Sequence, residues 1–97
     1  MGFTKLNDEV YVSHRDVTLV TREDIDDLKR AAARNESRKA RLCAHGEVED
    51  RLHEMLIVHV GETYVPPHKH PGKSESFHII EGRLKVFLFD NDGNKIQ

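Results

Sequence analysis

The chain reads as mainly β with one N-terminal helix, its strands forming a partial, open barrel. Three observations carry that reading. Runs at 52–60, 75–80 and 83–89 are strand-like in residue type and alternation. Ile25, Leu28 and Ala32 recur at helical spacing behind a capping threonine. Turn-forming residues separate the later runs: Pro71-Gly72-Lys73-Ser74, Glu81-Gly82 and Asp90-Asn91-Asp92-Gly93.

Taken in order, Val10-Tyr11-Val12 and Thr18-Leu19-Val20 read as two short strands around a polar turn at 13–16. Thr21 is placed to cap a helix over Arg22–Arg34. Glu23, Asp24, Asp26 and Asp27 crowd its first turns and Lys29, Arg30 and Arg34 its last, the order that a helix dipole favours. The stripe of Ile25, Leu28 and Ala32 is narrow, so this helix should lie on a sheet. Lys29, Arg30, Arg34, Arg38, Lys39 and Arg41 read as a solvated helix end rather than an anion patch.

Residues 35–37 should end the helix, 40–44 form a strand running up to His45, and 46–50 an acidic loop. The run 52–60 sets Leu52, Glu54, Leu56, Val58 and Val60 on one face and His53, Met55, Ile57 and His59 on the other. Apolar residues on both faces predict a strand covered on both sides, with His53 and His59 as histidines at the core edge. In 75–80, Glu75, Phe77 and Ile79 share a face opposite Ser76, His78 and Ile80. In 83–89, Leu84, Val86 and Leu88 oppose Arg83, Lys85, Phe87 and Phe89. Phe87 and Phe89 should therefore be covered by the N-terminal segment or by a second subunit. A last strand begins at Asn94.

Chemistry concentrates in GETYVPPHKHPGKSESFHIIEG, from Gly61 to Gly82. Tyr64 and Val65 favour strand and Pro66-Pro67 forbids helix, so the chain enters His68 extended. In extended chain His68 and His70 point the same way, with Cα atoms roughly 6.6 Å apart. The turn at 71–74 can return Glu75 alongside them. Two imidazoles and a carboxylate on one surface suit divalent iron, manganese, nickel or zinc. An isolated His-x-His is more often two surface histidines; the longer string is what favours a metal site.

That string resembles the first motif of the cupin family: Gly, a spacer, His-x-His, four residues, Glu, six residues, Gly. It departs at the first spacer, where six residues rather than five separate Gly61 from His68. The wider likeness runs from about Thr21 to the end. TREDIDDLKRAAARNESRKARLCAH, RLHEMLIVHVGETYVPPHKHP and KSESFHIIEGRLKVFLFDNDGN together resemble the small cupin-fold metalloproteins of the WbuC family, whose members are associated with O-antigen gene clusters. The resemblance implies an incomplete cupin, or jelly-roll, β-barrel. Residues 1–50 would supply N-terminal strands and a helix packed on the barrel, and 51–97 its first half, in one domain. It implies a metal held by His68, His70 and Glu75, and a small polar or sugar-derived ligand. The activity is either chemistry on that ligand or metal-dependent binding without turnover; a remnant without activity is the third reading. Tyr64 and His59 are the neighbouring acid/base candidates.

The second cupin motif, which would bring a third imidazole, has no counterpart here. A jelly roll needs about eight strands, and without the later ones 83–89 would present an open edge and an uncovered apolar face. A shortened reading frame is the expected explanation; a homodimer whose N-terminal strands replace the lost ones, or a barrel that stays open, are the alternatives.

Composition sets the outer bounds. Ninety-seven residues make one small domain, and a net charge of -2 with 33% charged residues argues against a general nucleic-acid or membrane-surface binder. The single cysteine, Cys43, excludes an internal disulfide and fits a reducing compartment. With no signal-peptide run at the N-terminus, a cytoplasmic location is expected.

Overall fold

A helix of 13 residues, α1 (Arg22–Arg34), joins two strands that run in the same direction, β2 (Val10–Val12) and β3 (Lys39–Cys43). The computed structural model describes residues 1–47 and 49–97. Two further strands complete a mixed sheet in the order β1-β2-β3-β4: β1 (Thr4–Lys5) pairs antiparallel with β2, and β4 (Met55–His59) antiparallel with β3. All of this lies in the first of two compact units, Met1–Tyr64; the second is Val65–Gln97.

The helix starts where its sequence requires. The Thr21 hydroxyl accepts from the Asp24 amide at 3.2 Å, and the Asp24 carboxylate accepts from the Thr21 amide at 2.9 Å, closing a capping box. At the other end the Asn35 side-chain amide donates to the carbonyls of Asp8 and Lys39, each at 2.8 Å. One residue thus ties the helix end to the β1–β2 turn and to β3.

Leu28, Ala31 and Ala32 press against Tyr11, Ala40 and Leu42, and Val20, Leu56, Val58 and Val60 pack round them. Leu28 and Leu42 are fully buried. Small alanines let the helix approach the sheet closely, so a short sheet still closes a core. The helix covers one face of the sheet. On β4 the other face is open, with Met55 43% and Ile57 50% exposed, so the strand is covered on one side, not the expected two.

The structure corrects the expected barrel. An incomplete cupin or jelly-roll β-barrel is built of antiparallel strands closing on themselves; here the sheet is open, and its central β2–β3 pair is parallel. The cause is the helix. A crossover helix returns the chain to its starting end, so the strands it joins run in parallel. The strand expected at 18–20 is instead irregular chain leading into α1, and β2 pairs with β1 and β3. The acidic loop expected at 46–50 includes Val48, which lies outside the described residues. Beside it, the Asp50 amide donates to the Glu47 carbonyl at 3.2 Å and the Glu47 amide to the Asp50 carboxylate at 3.1 Å.

In the second unit the runs 75–80 and 83–89 form no ladder; the bridge described there joins Phe89 and Lys95. Every residue from 65 to 97 is exposed. A unit this short, below roughly 40 residues, cannot bury enough apolar surface to offset the ordering of its backbone. Phe87 and Phe89 are 50% and 41% exposed in the single chain. The Lys95 ammonium sits over the Phe87 ring at 4.4 Å from its centroid. The turn at 90–93 does form: the Asp90 carboxylate accepts from the amides of Asp92 and Asn94 at 3.0 and 2.8 Å, and Gly93 takes φ 84°. No helix among the described residues is long and apolar enough to cross a membrane.

Candidate metal centre

The donor residues of the Gly61–Gly82 stretch lie in the second unit, on a short arc of backbone. The Pro66 carbonyl stands 2.9 Å from Nδ1 of His68. A carbonyl only accepts, so this contact places the ring proton on Nδ1 and leaves the Nε2 lone pair to bind an ion, as backbone carbonyls commonly do for ligating histidines. The turn that follows is closed by the Lys73 amide donating to the His70 carbonyl at 3.3 Å, with Gly72 at φ 72°, a conformation that glycine adopts without strain.

That turn brings Glu75 back onto His70. Nε2 of His70 and Oε2 of Glu75 are 3.3 Å apart, with the side chains 49% and 62% exposed. The His68 and His70 rings meet edge to face, with centroids 5.0 Å apart and planes at 88°. Metal–donor bonds of about 2.0–2.2 Å at angles of about 90–110° set neighbouring donor atoms roughly 3.0–3.5 Å apart. The His70–Glu75 separation fits that spacing, and the donor types fit a divalent ion. Among the described residues no group of three or more His, Cys, Asp or Glu stands close enough to hold an ion. The fold therefore brings together His70 and Glu75 and sets His68 beside them, short of a closed triad.

His14, His45, His53, His59 and Tyr64 belong to the first unit, and His78 to the second. Tyr64 is 76% exposed. Nδ1 of His59 is 2.8 Å from the Thr63 hydroxyl. Partial burial, and then the positive charge of Lys39 opposite it in the β3–β4 register, hold the pKa of His59 below its ordinary value. The His45 and His53 rings stack, with centroids 4.1 Å apart and planes 16° from parallel. Sequence reasoning treated these two singly. The signal that joins them is register: Cys43 pairs with Met55, so two residues further along each strand His45 faces His53.

The family described as "Domain of unknown function (DUF6016)" matches residues 20–97. The chain belongs to that family. No curated protein matches it, and no solved structure does.

Proposed function

We propose that the chain binds one divalent ion (iron, manganese, nickel or zinc) through His68, His70 and Glu75, and presents it to a small polar or sugar-derived ligand. The observation that carries this is the 3.3 Å approach of the His70 imidazole to the Glu75 carboxylate, beside a His68 ring whose Nδ1 faces a backbone carbonyl. The likeness of the string to the first cupin motif supports the same three donors. His68 and His70 would bind as neutral imidazoles and Glu75 as a carboxylate, a set that leaves positions for ligand oxygens. When bound, the ion supplies Lewis acidity.

The exposure of His70 and Glu75 favours binding over turnover. Electrostatic catalysis depends on a site that excludes water, and no residue from 65 to 97 is buried. A metal-dependent binding module is thus the form of the proposal that the geometry favours over a sugar-modifying enzyme.

Isothermal titration of the purified chain with zinc or manganese tests it. One equivalent should bind, and His70→Ala and Glu75→Gln should each weaken binding at least about tenfold, since each removes a donor. Equal affinity in both variants would defeat the assignment.

A further inference from the structure

The first unit carries a second, differently composed set of donors. Continuing the β3–β4 register places Cys43 opposite Met55 and His45 opposite His53. The Ala44 amide donates to the Glu54 carbonyl at 2.8 Å, so Ala44 and Glu54 mark a hydrogen-bonded position between the two pairs. The flanking pairs, Cys43 with Met55 and His45 with His53, occupy the alternate positions, where side chains on one face approach most closely. All four residues line one pocket of about 290 Å³ on the sheet face away from α1.

The donor types suit an ion, although as placed Cys43, His45 and His53 stand too far apart to hold one without side-chain rotation. Cys43 is a free, buried cysteine, 8% exposed. Nδ1 of His45 is 3.2 Å from both the carbonyl and the amide of Glu54; with the ring proton on Nδ1, donated to that carbonyl, Nε2 keeps the lone pair that an ion needs. The stacked rings, with centroids 4.1 Å apart, hold the two imidazoles side by side. Met55, 43% exposed, has a long, unbranched side chain that can swing over the pocket mouth. The rings now lie face to face rather than converging on one point, so ion binding requires them to turn; neither is fully buried.

We infer that Cys43, His45, His53 and Met55 form a binding site for a soft, thiophilic metal ion, cuprous copper. The ligand chemistry selects the ion. A thiolate and a thioether beside two imidazoles favour copper, whereas the oxygen-preferring divalent ions gain nothing from Met55. On binding, the Cys43 S–H bond breaks, its proton passes to solvent and the thiolate sulfur bonds to the ion; no electron is transferred. This site shares no residue with His68, His70 and Glu75, so the two succeed or fail separately.

The test is competition for Cu(I) between the reduced full-length chain and a chromogenic chelator, under anaerobic conditions. The parent is the His68→Ala/His70→Ala double variant, which removes the other site. It should retain one equivalent of Cu(I) with a near-ultraviolet thiolate-to-metal band, and Cys43→Ser should abolish that band and the binding. Met55→Leu, at an exposed position where folding is not at risk, should weaken Cu(I) at least about tenfold while zinc affinity stays unchanged. Circular dichroism of Cys43→Ser checks that the fold persists; if it does not, His53→Ala takes its place with the same expected loss. No Cu(I) retained by the parent, equal retention in Cys43→Ser or its replacement, or an unchanged Cu(I) affinity in Met55→Leu would each overturn the inference.

Discussion

His59 shows how one residue couples position to pH. It ends β4 opposite Lys39. Partial burial of its ring is the larger cause of its lowered pKa, and the Lys39 charge the smaller. Because the folded value lies below the ordinary 6.5, the unfolded chain takes up this proton first as pH falls. His59 therefore costs no stability above pH 6.5, and progressively destabilises the fold as pH drops from there through the lowered value. An NMR titration of the His59 ring proton should give a midpoint below 6.5, moving upward in Lys39→Gln; a midpoint at or above 6.5 would refute it. At this scale the sequence was informative where geometry is local. The turn at 71–74 is local and sets Glu75 beside His70, while His68, His70 and Glu75 stop short of a closed triad. The His45–His53 stack was hidden, because it depends on which strand pairs with which.

At the level of elements, α1 is the part most fully written in its own residues. Thr21, the acidic first turn and the Leu28–Ala32 stripe are all local signals, and the helix spans the residues they mark. Thr21→Ala should destabilise the fold by about 1 kcal/mol, the usual cost of losing a cap hydroxyl, and Thr21→Ser should restore most of it. Asn35→Ala removes two bonds that join α1 to the β1–β2 turn and to β3, and should cost about 1–2 kcal/mol. Urea unfolding curves measure both; an Asn35→Ala midpoint equal to that of the parent would show that those bonds do not fasten the helix. The strands were less legible. The residues of β3 and β4 were strand-like in sequence, but nothing local reveals that β2 pairs in parallel with β3, since that pairing is made by packing α1 over the sheet. Apolar residues on both faces of β4 suggested cover on both sides; the core closes on the Leu56 and Val58 face alone.

The whole molecule distributes its order unevenly, and this is where the barrel expectation met its limit. Alternation at 75–80 and 83–89 shows what could pair, but pairing needs a core large enough to hold the strands, and that is a property of the unit rather than of a run. In Met1–Tyr64 the helix and sheet bury Leu28 and Leu42 completely, and β3 and β4 form a continuous ladder. In Val65–Gln97 the described backbone hydrogen bonds are that of Lys73 to His70 and those among residues 88–97. Amide exchange reads this difference directly, because protection follows burial and hydrogen bonding of each stretch. Peptides covering α1, β3 and β4 should exchange at least about a hundredfold more slowly than those covering 76–86, which is about 2.7 kcal/mol of opening free energy. Peptides from 88–97 should fall between the two, held by the Asp90 turn and by the Ile96 amide bonded to the Leu88 carbonyl at 2.8 Å. Hydrogen exchange read by mass spectrometry at pH 7 makes the comparison in one experiment. Protection of 76–86 equal to that of β3 would mean that these runs are strands in solution with partners of their own.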